Sequence, residues 1–313
     1  MRHATPLIYL NDSEYSNMPA NQCPLCNDTS PTPYWTTVWN APGKQVLRCT
    51  SCDSFFLDPL ETEDEQRKFD TEYDHYIQAR SDLVSKYTPQ TFDTLVDESI
   101  EVRFRDLKQF FENHPSVLEI GAEKGGFLDR IADAAGPTVA VDSCPEYRDV
   151  LQNKGYRAYA YTGDLPTGEI YDRICLFSLL EHIHNPQPFL SQLKDYLAPS
   201  GLMILEIPSS NDPLISLYNN QAFKSFYFQA MHPYVYSEKA IRMLIARSGM
   251  LIEQIIYKQR YGLANHLQWL KDGIPCGNAF LASLFAGRTD LEYIKSLESS
   301  GYTDTLYVIA RKA

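Results

Sequence analysis

Four cysteines stand in two pairs, Cys23-Pro-Leu-Cys26 and Cys49-Thr-Ser-Cys52. A two-residue turn points both sulfurs of a pair at one centre, so two such turns supply the four thiolates of tetrahedral Zn²⁺. Four protein ligands close the coordination sphere, which makes the expected ion structural rather than catalytic. A redox dithiol, or four plain thiols in a loop-rich lobe, are the competing readings, and neither accounts for the pairing. A lobe this small has little core of its own, whereas structural zinc supplies on the order of 10–16 kcal/mol in zinc-finger peptides.

A second constellation follows. Val117-Leu-Glu-Ile-Gly-Ala-Glu-Lys-Gly-Gly-Phe127 reads as a strand that passes through a glycine-rich loop into a helix. Glu119 falls at the strand's carboxyl end, and Gly121, Gly125 and Gly126 let backbone approach a ligand at that edge, where open α/β sheets bind. A dinucleotide fingerprint needs a glycine where Glu123 stands. A carboxylate there repels a diphosphate but suits a ligand with a cationic sulfonium. Asp142 ends the next strand, where a carboxylate can accept from both hydroxyls of a ribose.

Two histidines are candidates for moving a proton near neutral pH. His182 follows the strand over 173–177, in Leu-Leu-Glu181-His182-Ile-His184-Asn-Pro186, and the neighbouring His184 reads as a capping residue. His232 lies in Phe226-Tyr-Phe-Gln-Ala-Met-His232-Pro-Tyr-Val-Tyr236, among further aromatic residues such as Tyr218 and Phe223. Aromatic walls suit sugar, nucleoside or ring-bearing substrates; the same rings serve equally as a lid packed on the core. Asn265, His266 and Trp269 offer hydrogen bonds and a stacking face, so their segment is expected to serve substrate or homodimer contacts.

The elements that must hold these residues alternate regularly. Val117–Ile120, Thr138–Val141, Tyr156–Tyr161, Arg173–Phe177 and Leu202–Ile207 read as strands, with helical patterns at about 126–135, 145–154, 186–197 and 237–248. Strands separated by single helices imply right-handed crossovers and a parallel sheet covered on both faces. Leu251–Tyr257 and Thr305–Ala310 follow as later strands. Residues 61–110 are richly charged and read as a helical connector with a solvated face.

The chain of 313 residues is 44% hydrophobic and 22% charged, a globular profile that excludes a largely disordered or fibrous protein. Its formal net charge of −12 argues against a nucleic-acid partner, which needs a basic face. No apolar run approaches the ~20 residues of a membrane span, and no targeting segment is visible. A cytoplasmic protein is therefore expected, the compartment in which paired cysteines more often hold metal.

Glu119-x-Gly121-x-x-x-Gly125, Val139-Ala-Val-Asp142, Tyr171-Asp172-Arg-Ile-Cys-Leu-Phe-Ser178 and Leu180-Glu181-His182 resemble, in order, the motifs of class I S-adenosylmethionine-dependent methyltransferases. The likeness runs over about residues 115–258, with Thr305–Ala310 as the antiparallel last strand. The cysteine lobe resembles the zinc ribbon of bacterial methyltransferases that act on sugars and natural products. What the resemblance implies is an α/β, Rossmann-like seven-stranded sheet with helices on both faces, preceded by the small ribbon lobe. The divisions would be 1–60 for the lobe, 61–110 for the connector and 111–313 for the methyltransferase domain, with insertions at about 209–236 and 259–302. Glu119, Gly121 and Gly125 would border the methionine end of S-adenosylmethionine, Asp142 would bind ribose, and Asp164 would lie near adenine. Phe177 and Ser178 would line the pocket floor, Tyr76 with Tyr73 would close over the cofactor, and His182 and His232 would be catalytic.

Two departures stand beside this. In related sugar C-methyltransferases a glutamate precedes the histidine that Met231 precedes here, and Gly163-Asp164-Leu-Pro166 is also a plain turn sequence. The expected activity is methyl transfer to a small polar metabolite, such as a nucleotide-activated sugar or a natural-product intermediate, with a histidine base. An RNA base methyltransferase is the alternative enzyme, but only Lys44 and Arg48 stand near the cysteine pairs. A non-catalytic scaffold with the same fold is the third reading.

Overall fold

The computed structural model describes residues 22–60, 73–87, 92–275 and 279–313. The cysteine pairs flank three short strands, β1 (Thr32–Trp35), β2 (Gln45–Arg48) and β3 (Phe55–Asp58). Two helices follow, α1 (Tyr73–Ser85) and α2 (Phe92–Leu107). The alternating part then runs β4 (Val117–Ile120), α3 (Gly126–Ile131), β5 (Thr138–Val141), α4 (Pro145–Asn153), β6 (Arg157–Tyr159), β7 (Tyr171–Phe177), α5 (Pro186–Leu193) and β8 (Leu197–Pro208). The remainder comprises α6 (Pro213–Ser216), α7 (Gln221–Tyr227), β9 (Tyr234–Val235), α8 (Glu238–Arg247), β10 (Met250–Lys258), α9 (Leu263–Asp272), α10 (Ala279–Phe285), α11 (Arg288–Ser300) and β11 (Thr305–Lys312).

Local chemistry explains the boundaries. Proline opens α4, α5 and α6, where its fixed φ suits the first turn and its missing N–H costs nothing. Ser237 caps α8 by accepting from the Ala240 N–H at 3.0 Å. The strand β4 is buried along its whole length between two helical layers, with Glu119 as its one polar residue. In the large sheet the order is β10-β11-β8-β7-β4-β5-β6. The pairs β8-β7, β7-β4, β4-β5 and β5-β6 are parallel, and β11 runs antiparallel to both of its neighbours. The chain reverses its direction of winding between β4 and β7, and ligands of such sheets bind at the carboxyl ends beside that switch point.

The small sheet has the order β1-β2-β3-β9, so a strand from beyond β8 completes the cysteine lobe. The apolar core joins the two parts as well: Cys23, Leu47, Cys49, Cys52 and Phe56 share one cluster with Tyr234, Tyr236 and Ile241. The charged connector departs from a purely solvated face, because the Arg103 side chain on α2 is only 13% exposed. Among the described residues no helix is long and apolar enough to cross a membrane.

Candidate active site

The loop after β4 is drawn tight by backbone geometry. Gly121 and Gly125 sit at φ +73° and +76°, in the left-handed region that favours glycine, and the Gly121 N–H donates to the Val141 carbonyl at 2.8 Å. A Cβ on Gly125 would stand 2.7 Å from Leu151 Cδ2 on α4. Glu119 is 4% exposed, and burial, only partly offset by Arg103, pushes its carboxyl up to about 8. Among the described residues its Oε2 has no hydrogen-bond donor. Asp142 accepts from the Glu123 N–H at 2.8 Å and the Cys144 N–H at 2.9 Å. Burial outweighs these donors and raises its pKa to about 6. Each carboxylate oxygen has a further lone pair, so Asp142 can still accept from hydroxyls. A tight glycine loop, an orphaned buried carboxylate and an anchored acid fit a cationic ligand that carries a ribose.

Phe177 is buried against Phe127, with ring centroids 4.7 Å apart, and the Arg103 guanidinium lies 4.6 Å from its ring centre. Ser178, at φ +50°, donates its N–H to the Glu206 carbonyl at 2.9 Å. The Glu206 carboxylate is the hub of an ion network that sequence reasoning missed. Arg103 Nε reaches its Oε2 at 2.5 Å, Arg260 Nη1 stands 3.7 Å from its Oε1, and Arg260 Nε lies 3.1 Å from Asp304. Burial alone would push the Glu206 carboxyl up, but the guanidinium of Arg103 holds it below its usual range. The available signal was an acid inside the apolar run Met203-Ile-Leu-Glu206-Ile207. Asp164 is exposed and accepts from the Tyr161 N–H at 3.0 Å, closing its own turn. Tyr73 and Tyr76 lie on α1, and their side chains are outside the described residues.

The two catalytic candidates come together from distant segments. The rings of His182 and His232 are 4.7 Å apart and nearly perpendicular. His182 Nδ1 donates to the Met231 carbonyl at 2.8 Å, which makes Nε2 the unprotonated nitrogen of the neutral ring. Burial pulls the His182 pKa down to about 4. The Gln229 amide nitrogen stands 3.0 and 2.9 Å from the two ring nitrogens of His232. Beside them, Glu181 is 2% exposed, its Oε2 lacks a donor among the described residues, and burial raises its carboxyl to about 8. Trp269 does not offer the stacking face that its type suggests: it is 4% exposed and packs on Phe223 and Phe226. His266 is likewise buried, 2.6 Å from the Tyr293 hydroxyl. The helices beyond it leave Phe280 and Leu284 largely exposed.

The four paired cysteines converge. Cys23 and Cys52 sulfurs are 3.8 Å apart, Cys26 and Cys49 sulfurs 3.4 Å, and all four lie within 4.8 Å of one another. A tetrahedron with Zn–S bonds of ~2.3 Å has edges of about 3.8 Å, so the set fits the ion. A hydrogen bond from the Cys23 thiol, outweighing burial, pulls Cys52 down to about 5. The lobe also grips the His232 loop. The Trp39 N–H donates to the Phe228 carbonyl at 2.7 Å, the Ala230 N–H to the Trp39 carbonyl at 3.1 Å, and the Leu57 N–H to the Pro233 carbonyl at 3.0 Å.

Sheet order, the single antiparallel strand and the acid-bearing carboxyl edge define a class I S-adenosylmethionine-dependent methyltransferase. A family model described as a methyltransferase domain matches residues 61–255, and the chain belongs to that family. It is an enzyme of the methyl-transferring class. Among solved structures, it is similar to the *Burkholderia thailandensis* 1,6-didemethyltoxoflavin-N1-methyltransferase with bound 1,6-didemethyltoxoflavin and S-adenosylhomocysteine. That likeness has 14% identity and a TM-score of 0.47, over 90% of this chain and 99% of that one. A putative methyltransferase from *Bacillus halodurans* is similar at 15% identity and TM-score 0.45, over 67% of this chain and 99% of that one. No curated protein matches the chain in sequence.

Proposed function

We propose that the chain transfers a methyl group from S-adenosylmethionine to a small polar metabolite, of the nucleotide-activated-sugar or natural-product type. Bound at the sheet edge, the cofactor supplies an electrophilic methyl on a sulfonium. Glu119, Gly121 and Gly125 border its methionine end, Asp142 takes the ribose hydroxyls, and Phe177 and Ser178 line the floor. The acceptor lies toward the two histidines and the aromatic segment over 223–236. His182, whose tautomer is fixed by the Met231 carbonyl, offers an unprotonated Nε2 for an acceptor proton, and His232 stands against it. Zn²⁺ on Cys23, Cys26, Cys49 and Cys52 keeps the lobe folded. The exposed Phe280 and Leu284 suit a homodimer contact, which light scattering checks.

The observation that carries this reading is the orphaned Glu119 carboxylate beside a left-handed glycine loop and an anchored Asp142. Calorimetric titration of the zinc-loaded protein with S-adenosylmethionine tests it, and absence of binding sinks the enzyme reading in favour of a scaffold. An assay of S-adenosylhomocysteine release against nucleotide sugars and phenolic intermediates then identifies the acceptor. With that acceptor, His182→Ala and His232→Ala lower turnover by about 10²–10⁴-fold and leave cofactor affinity nearly unchanged. Wild-type turnover in both variants removes the histidine base.

A further inference from the structure

We propose that Glu181, His182 and His232 form a second metal site, which takes a divalent first-row transition cation beside the cofactor edge. A carboxylate oxygen and one nitrogen from each ring lie within 4.8 Å of one another. The site therefore needs only a small closure to bring all three to the ~2.0–2.2 Å bonds of such ions. Two imidazoles and one carboxylate are a donor set for Zn²⁺, Fe²⁺, Co²⁺ or Ni²⁺ rather than for Mg²⁺ or Ca²⁺, which prefer oxygen alone.

Two independent features point to a cation rather than to a packed polar cluster. Glu181 is 98% buried in its own right, being 2% exposed, and its Oε2 has no donor among the described residues. An uncompensated carboxylate oxygen in such a place is costly unless a cation takes it. His182 gives its Nδ1–H to a backbone carbonyl, the arrangement that orients metal-bound imidazoles. Both histidines are half-buried, so the ion would keep positions open toward the cleft. Donor oxygens of an acceptor, such as a hydroxyl or phenol, are the class of ligand those positions would take. The inference goes beyond the reading above and rests on it only for methyl transfer at this site; an ion in place would replace the histidine base, holding both rings and lowering the pKa of a bound hydroxyl instead.

The test counts metal on the full chain. Protein carrying one equivalent of Zn²⁺ in the cysteine site is titrated with Co²⁺ alone, followed by calorimetry and by the visible spectrum. The expected result is one further equivalent, with d–d bands of a nitrogen and oxygen site and no new sulfur-to-cobalt charge-transfer band. Glu181→Gln and His232→Ala lose that equivalent. Circular dichroism and S-adenosylhomocysteine affinity report whether each variant still folds. Wild-type protein that binds S-adenosylhomocysteine but takes up no second Co²⁺, Zn²⁺ or Ni²⁺ overturns the metal site and leaves the methyltransferase reading standing. Uptake of the second ion without S-adenosylhomocysteine binding does the reverse.

Discussion

Asp142 carries the cofactor prediction at the scale of one residue. Both its oxygens are tied to backbone N–H groups, yet burial still raises its pKa to about 6, against ~3.9 for an unfolded aspartate. Between those values the folded chain holds a proton that the unfolded chain has released. The stability it contributes is therefore full below the unfolded value and is lost as the pH rises through about 6. Ligand binding has the opposite slope, because ribose hydroxyls donate to the ionised form. Affinity for S-adenosylhomocysteine should thus weaken as the pH falls from 7.5 to 5. Asp142→Ala should cost about 1.5–3 kcal/mol of binding at pH 7.5 and flatten that pH dependence. Calorimetry at the two pH values checks both, and an unchanged affinity would refute the ribose assignment.

At the scale of elements, the least expected feature is the grip of α2 on β8 through Arg103 and Glu206. Removing one partner of a buried pair strands the other, which typically costs 3–5 kcal/mol. Arg260 remains 3.7 Å from Glu206, so Arg103→Met should cost toward the lower end, about 3 kcal/mol, in denaturant unfolding. The double variant Arg103→Met with Glu206→Gln should recover part of that loss; strictly additive costs would mean that the pair is not coupled. The sequence hid this contact for a physical reason. An arginine on a charge-rich helix is solvated by default, and nothing local reports a partner more than a hundred residues away. The strands β4 and β5 were legible to the residue, because each is a short run of mostly β-branched and apolar residues, broken only by Glu119 and Thr138, between turn formers. The left-handed glycines after β4 and the place of Asp142 after β5 were legible for a similar reason, being read from neighbouring positions. By contrast β9 is two residues long and exists only through its pairing with β3, and the contact between His182 and His232 likewise needs the folded chain.

Across the whole molecule, the cysteine lobe is tied to the loop that carries His232. Its third strand pairs with β9, Ser237 donates to the Cys52 carbonyl, and Arg247 donates to the Leu25 carbonyl at 2.8 Å. The backbone bonds of Trp39 and Leu57 hold the loop from Phe228 to Pro233 on either side of His232. The cofactor edge, built from β4, β5 and β7, makes none of these bonds. Loss of zinc from the lobe should therefore loosen the histidine loop before it touches cofactor binding. Cys26→Ser is the suitable probe, since a chelator would also strip an ion from Glu181, His182 and His232. In that variant the Ala230 and Leu57 amides should exchange at least about tenfold faster, while S-adenosylhomocysteine affinity stays within about threefold. Faster exchange spread equally over β4 and β5 would instead mean that the ribbon supports the entire fold, and unchanged exchange at Ala230 and Leu57 would remove that tie altogether.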